Sequence, residues 1–277
     1  MSAAQRIDLS SATVLITGGA RGIGAATVNK LITLGARVAV FDRDVAGHEL
    51  RSYDRLLILA GDVCDREAVE IAVARVVEHF GSLDVVIANA GITPAPGTIR
   101  RTDPEQFDRV IAVNFGGVLN VVRASADELV RSGGHVLLVS SCAAFTPGMG
   151  GAAYMVSKAA VEQLGRALRI ELAAVGTSAG VAYFGVVDTE LARATLDNDP
   201  IGERIGAQLP WPLNRRLAAD AAADVLITAV RRRSARVIAP RSWLPYFWLR
   251  GVLNPLLEAR LVKDATVHEI IRDLERA

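Results

Sequence analysis

Thr13-Val14-Leu15-Ile16-Thr17-Gly18-Gly19-Ala20-Arg21-Gly22-Ile23-Gly24 is the stretch whose reading decides the fold. Its first five residues form a short apolar, β-branched run, the pattern of a parallel strand buried on both faces. The glycines that follow let the backbone turn tightly and approach a ligand without a Cβ clash. A helix to about Leu34 comes next. Its N-terminus offers unpaired N–H groups and the positive end of a dipole, which suits a pyrophosphate. The spacing is Gly-x-x-x-Gly-x-Gly (Gly18, Gly22, Gly24), not the commoner G-x-G-x-x-G.

Moving outward, Arg37 to Phe41 reads as a second strand that ends at Asp42. An acid at this place can accept hydrogen bonds from a ribose 2′-OH. It would repel a 2′-phosphate by roughly 4 kcal/mol at 4 Å and an effective dielectric of 20. Arg21 and Arg43 pull the other way, since either can meet a phosphate. Asp42 favours NAD over NADP; an ordinary strand-end turn residue is the bland alternative.

The alternation continues. Strands are expected at Arg55 to Ala60, Leu83 to Ala88, His135 to Ser140, Gly180 to Phe184 and Arg236 to Ala239. Helices are expected at Asp65 to Phe80 with Asp65 as N-cap, Phe107 to Arg131, Ala153 to Val175 and Ala218 to Arg232. Strand and helix in turn predict an α/β fold, a doubly wound parallel sheet of about seven strands with helices on both faces. Asn89 ends the fourth strand, as a cofactor contact or a turn former. Asn114 falls inside a helix, where it either faces solvent or makes polar contacts at depth. Glu190 to Leu217 lacks clean periodicity and carries Pro200, Pro210 and Pro212, as a lid or binding loop does. In the tail, Pro245 and Pro255 are expected to break any single long helix. Thr266-Val267-His268-Glu269 has capping-box form ahead of a stripe of Val267, Ile270, Ile271 and Leu274.

Tyr154-Met155-Val156-Ser157-Lys158 carries the chemistry. Residues four apart share a helix face, so a phenol and an ammonium can point into one cleft. A phenol ordinarily titrates near 10, and a neighbouring cation lowers that. Three units would need roughly 4 kcal/mol, at about 1.36 kcal/mol per unit. The expectation is a tuned proton donor and acceptor. The alternative is an exposed helix that happens to hold Tyr and Lys.

Composition narrows the class. The chain has 277 residues, 51% hydrophobic and 22% charged, which fits a globular domain with a well-buried core. A net charge of +1 gives no basis for a nucleic-acid partner. Four histidines, His48, His79, His135 and His268, show no metal-ligand spacing, so no metal is expected. Two cysteines, Cys64 and Cys142, suit a reducing compartment. The polar Met1 to Ser11 stretch is not a secretory signal, and a cytoplasmic placement follows as an expectation.

Thr17-Gly18-x-x-x-Gly22-x-Gly24, Asn89-Ala90-Gly91, Asn114, Ser141 and Tyr154-x-x-x-Lys158 together resemble the short-chain dehydrogenase/reductase family, over about Ala12 to Ala239. The resemblance implies a Rossmann-like fold and hydride transfer between a nicotinamide cofactor and an alcohol or ketone. It implies that Tyr154 exchanges a proton with the substrate oxygen and that Ser141 hydrogen-bonds that oxygen. Lys158 would hold the cofactor ribose and lower the Tyr154 pKa, and Asn114 would hold a water linking Lys158 to solvent. Gly18, Arg21, Gly22, Ile23, Gly24, Asp42, Asn89, Ala90 and Gly91 would contact the cofactor. Asp62 and Val63 would line its adenine site, and Val187 and Thr189 its nicotinamide side. One departure stands out: Phe184-Gly185 occupies a place where the family usually has Pro-Gly.

An apolar substrate is expected from Phe145, Met149, Phe184, Leu191 and Trp211 near the presumed cleft. Core packing is the rival reading for Phe145, Met149 and Trp211, and for Cys142. Residues 1–240 are expected to form the catalytic dinucleotide-binding domain. The extension 241–277, with Trp243, Tyr246, Phe247 and Trp248 at its start, would cover the cleft, build a subunit interface of a homodimer or homotetramer, or rest on a membrane surface. Subunit packing is favoured, because the family usually forms homo-oligomers. A non-catalytic nucleotide sensor or scaffold on the same fold is the rival function; the full Asn114, Ser141, Tyr154, Lys158 set argues against it.

Overall fold

The computed structural model describes residues 6–46 and 55–276. The first five residues of the Met1 to Ser11 stretch, His48 and Ala277 lie outside the described residues. The first half of the chain gives β1 (Thr13–Thr17), α1 (Gly22–Thr33), β2 (Arg37–Asp42), β3 (Leu56–Ala60), α2 (Arg66–Phe80) and β4 (Val85–Ala88). It continues with α3 (Pro104–Ile111), α4 (Val118–Ser132), β5 (His135–Ser141), α5 (Ala152–Ala173) and β6 (Ser178–Phe184). The remainder is β7 (Val187–Asp188), α6 (Glu190–Leu196), α7 (Pro200–Gly206), β8 (Leu217–Ala218), α8 (Ala219–Arg231), β9 (Arg236–Ala239), α9 (Leu244–Leu261) and α10 (Ala265–Leu274).

Seven strands form one sheet in the order β3-β2-β1-β4-β5-β6-β9, with every neighbour parallel. The order reverses between β1 and β4, so a crevice opens at the carboxyl ends of those strands. Successive side chains of a strand point to opposite faces. Val14 and Ile16 therefore pack with Val28 and Leu31 of α1 and Leu226 of α8. Leu15 packs on the other face with Val73 of α2, Val121 of α4 and Val161 of α5. Each expected strand lies within two residues of its predicted bounds.

Three expectations need correction. Glu190 to Leu217 is irregular only in part: it holds α6 and α7, capped by Thr189 and Asp199, and reaches β8, which pairs with β7, while 207–216 carries no helix or strand. Pro200 sits in the first turn of α7, where its missing N–H costs nothing. Pro245 likewise lies in the first turn of α9, and that helix runs 18 residues straight through Pro255. The local cost of Pro255 is offset by packing around Phe247 and Arg250, so the two prolines do not divide it. Finally, Asp264, not Thr266, caps α10, accepting from Thr266 N at 2.9 Å and Val267 N at 3.2 Å. The buried stripe of Val267, Ile270 and Leu274 is as expected, with Ile271 half-buried.

A third apolar cluster ties the C-terminal elements to the sheet. Phe145, Tyr183, Trp243 and Phe247 meet there, with ring centroids 5.7 Å apart for Phe145–Tyr183 and 5.2 Å for Phe145–Phe247. No helix among the described residues is long and apolar enough to cross a membrane.

Candidate active site

Gly18 opens the crevice. It takes φ +64°, and a Cβ there would meet the Ala90 Cα at 2.8 Å, so only glycine lets β1 end against β4. Asn89 fastens the same junction. Its Nδ2 donates to Thr17 O at 3.1 Å and Gly18 O at 3.0 Å, while Thr17 Oγ1 accepts from the backbone of Asn89 and Ala90. Asp42 completes the loop, with Oδ2 accepting from Ala20 N at 2.9 Å. Arg21 is paired with Asp44 and lies 3.9 Å from Glu190. Ile23 packs against the core behind the loop.

Asp62 and buried Val63 follow β3. The Asp62 carboxylate accepts from Arg109 at 2.7 Å and from Cys64 N at 2.9 Å. Burial pushes its pKa up, but these hydrogen bonds outweigh that and hold the carboxyl below its ordinary value.

The chemistry-bearing side chains converge from three elements. Ser141, at the end of β5, donates to Phe184 O at 3.2 Å and accepts from Ala143 N at 3.1 Å. Tyr154 lies in the first turn of α5, half-buried, with the Ser141 hydroxyl beside its phenol. Lys158, one turn on, is buried; its Nζ donates to Val139 O at 3.0 Å and lies 5.7 Å from the Tyr154 ring centroid. Asn114 sits in a π-helical turn, Ala112–Gly117, between α3 and α4. It is fully buried and makes contacts at depth: Oδ1 accepts from Ile92 N at 2.8 Å, and Nδ2 donates to Ile92 O at 2.9 Å and Ser157 Oγ at 3.0 Å. Both amide protons are thereby used, so the side chain keeps a lone pair on Oδ1 for a water. A Cβ on Gly91 would lie 3.3 Å from both Asn114 Oδ1 and Lys158 Nζ, so these two groups flank one point of backbone.

The electrostatics correct one expectation. Burial pushes the Tyr154 phenol above its ordinary value, and Cys142 adds to that, while the Ser141 hydrogen bond works against them. Lys158 is not among the groups that lower the phenol's pKa; its Nζ donates to the Val139 carbonyl. Burial instead brings Lys158 itself down to about 8. The Cys142 thiol is also pushed up by burial, as fits a packing residue.

The expected substrate walls are divided. Phe184 is buried in the core with Val187 and Leu226, and Phe145 in the aromatic cluster, so neither is a cleft wall. Strand alternation accounts for Phe184, which points from β6 into the α8 layer. Trp211 is 79% exposed and Leu191 also faces solvent, while Met149 is half-buried. A surface groove of about 510 Å³ lies between α5 and α9; Ser141, Tyr154 and Lys158 do not line it.

Several connections around the cleft had no local sequence signal, since their partners are far apart in the chain. Thr93 and Thr195 hydroxyls meet at 2.6 Å, latching α6 to the loop after β4. Arg204 of α7 pairs with Asp273 of α10 at 2.5 Å, and Glu275 bonds Thr98. Thus α10 braces α7 and the 97–102 loop together.

The residues fit a dinucleotide. The N-cap of α1, Arg21, gives no side-chain hydrogen bond, so the first-turn N–H groups are open to an anion. A Cβ on exposed Gly22 would meet only Thr189, at 3.3 Å, which leaves a cradle between the loop and the start of α6.

The family described as short chain dehydrogenase matches residues 12–200. The chain belongs to that family. "Probable oxidoreductase EphD" of Mycobacterium tuberculosis H37Rv is 36% identical over 252 residues, 84% of this chain and 42% of that protein. The chain therefore spans less than half the length of that relative. A cis-2,3-dihydrobiphenyl-2,3-diol dehydrogenase of Rhodococcus globerulus is 36% identical over 73% of this chain and 78% of its own. A solved short chain dehydrogenase from Burkholderia cenocepacia J2315, in complex with NADP, has a TM-score of 0.78 at 24% identity, covering 92% of this chain and 98% of that one. At that identity the likeness speaks for the fold alone.

Proposed function

We propose that this short-chain dehydrogenase transfers a hydride between NAD and an alcohol or ketone. The observation that carries the reading is the placement of Tyr154 and Lys158 on one face of α5, with the Lys158 Nζ 5.7 Å from the Tyr154 ring centroid and Ser141 beside the phenol. The dinucleotide, when bound, supplies the hydride or accepts it. Gly18, Gly22 and the open first turn of α1 would hold its phosphates, Asp42 its adenosine ribose, and Lys158 the ribose nearer the reacting ring. Val187 and Thr189 would border the nicotinamide side.

The substrate oxygen would sit between Ser141 Oγ and the Tyr154 hydroxyl. Ser141 would donate to it as charge develops, and Tyr154 would give or take its proton. Lys158, with a pKa near 8, can hold or release a proton beside them at mildly alkaline pH. NAD is preferred to NADP on two grounds. The Asp42 carboxylate borders the loop, and Arg21 is engaged by Asp44. The structural relative was solved with NADP, so the fold itself favours neither. Of the residues expected to make the substrate apolar, Met149 alone stays half-buried without joining the core clusters.

Tyr154→Phe is the test. Turnover should fall at least a hundredfold, the lower range for lost acid–base catalysis. Dinucleotide binding, followed by fluorescence titration, should be unchanged. Full turnover in the variant would refute the reading.

A further inference from the structure

Away from the cleft, α9 presents a long apolar face that no other described residue covers. Phe247 and Arg250 point inward, and Arg250 is tied to Glu162 at 2.6 Å. The outward face carries Trp248 (70% exposed), Leu249, Val252 (66%) and Leu256 (65%), with Pro245 and Pro255 also exposed. Arg250 is the one charged residue between Arg241 and Glu258. Scattered exposed apolar residues need no explanation, but a contiguous stripe along one helix marks an interaction surface.

Its surroundings are cationic. Arg241 precedes α9, and exposed Arg260 and Lys263 close it. Beside Trp248 runs a groove of about 380 Å³ lined by Arg169, Arg236, Leu244 and Ile238. Arg236 stacks on Trp248, its guanidinium 5.5 Å from the ring centroid. Glu258 is the single acid on the helix.

We propose that α9 docks this protein on the surface of an anionic phospholipid bilayer. Trp248, Leu249, Val252 and Leu256 enter the boundary between headgroups and acyl chains, and the flanking cations meet the headgroup phosphates. This is the division of labour of an interfacial amphipathic helix: apolar insertion supplies depth and basic flanks supply charge attraction. A tryptophan at the apolar edge suits the headgroup level. A second copy of the chain fits the face less well. Symmetric pairing of the same stripe would set cationic flanks against each other. One face of an 18-residue helix also offers well under the roughly 800 Å² per partner of a stable interface.

Co-sedimentation of the full chain with vesicles tests this. The protein should pellet with vesicles of phosphatidylglycerol and phosphatidylcholine, stay in solution with phosphatidylcholine alone, and be released by raised salt. Val252→Asp with Leu256→Asp, both on the exposed face, should lower the bound fraction by about tenfold or more without changing the melting temperature. Should that pair fail to fold, Arg260→Gln with Lys263→Gln should show a smaller loss in the same direction. The proposal is overturned by absence of binding to anionic vesicles, or by undiminished binding of the folded variants. It is also overturned if the protein has twice the chain mass in solution and the aspartate pair restores the single-chain mass, which would assign the face to a second copy.

Discussion

Lys158 Nζ is bonded to the Val139 carbonyl at 3.0 Å, and not to the hydroxyl of Tyr154 four residues earlier. The buried ammonium thus ties α5 to β5, beside the Ser140 hydroxyl that donates to Lys158 O at 2.8 Å, and its burial has a measurable price in stability. Its pKa falls from 10.5 to about 8, because the charged form is desolvated. In the unfolded chain it titrates near 10.5, so between about 8 and 10.5 the unfolded state binds more protons and stability rises with pH. Below 8 the full penalty applies, about 3 kcal/mol at about 1.36 kcal/mol per unit. Lys158→Met should therefore abolish the alkaline rise in urea-unfolding free energy between pH 8 and 9.5. At pH 7 its stability should match or exceed wild type, since the penalty removed is larger than the about 1–3 kcal/mol for leaving the Val139 carbonyl unpaired. Turnover should fall by about a hundredfold or more. A variant that unfolds more easily at pH 7 would show that the ammonium is a net stabiliser.

Asp42 should set the choice of dinucleotide. Its carboxylate faces the glycine loop through the Ala20 amide, where a 2′-phosphate would bring like charges together. Asp42→Asn keeps the shape and removes the charge. The ratio of kcat/KM for NADP over that for NAD should rise by about tenfold or more, equivalent to about 1.4 kcal/mol. An unchanged ratio would move the determinant elsewhere, to Arg43 first.

Much of this was legible in the sequence because it is written in local pattern. The strands show as β-branched runs, and the loop at Gly18 shows because a positive φ demands glycine. Tyr154 and Lys158 share a face by helix period alone. What escaped depends on contacts between distant residues. Nothing near Phe184 says that β6 turns it toward α8, and nothing near Asp273 points to Arg204. The prolines misled for a related reason: a proline in a first turn starts a helix as readily as it ends one, and only the neighbours decide. The acidified phenol failed as an expectation because burial, which no spacing reveals, raises its pKa.

His135 should make the fold acid-sensitive. It is fully buried at the start of β5, with Nδ1 at 2.9 Å from Ser178 Oγ. Burial first, and the charge of Arg233 second, lower its pKa from 6.5 to about 4. The folded protein keeps it neutral where the unfolded chain protonates it. Stability from this residue is complete above pH 6.5 and is lost as the pH falls toward 4, by about 3 kcal/mol in total. His135→Gln should flatten the urea-unfolding free energy over that window. Equal acid slopes in the two proteins would place the sensitivity among the carboxylates.

The Glu162–Arg250 pair should decide whether α9 stays docked. Glu162 is buried on α5, one turn beyond Lys158, and receives both arms of Arg250, at 2.6 and 3.0 Å. The guanidinium also lies 4.5 Å from the Phe247 ring centroid and 5.2 Å from that of Phe145. Arg250→Ala leaves the buried carboxylate with only Arg166, at 4.0 Å, and removes packing from two rings, so it should cost up to about 3–5 kcal/mol in unfolding free energy. Glu162→Leu combined with Arg250→Met replaces both charges with apolar volume and should recover most of that loss, because neither change then leaves a buried charge alone. With the single variants Glu162→Leu and Arg250→Met added, the double-mutant cycle separates the pair's own coupling from the cost of orphaning one partner. If the double variant is as unstable as Arg250→Ala, the stacking of the guanidinium on Phe145 and Phe247, and not the ion pair, is what holds α9 against α5.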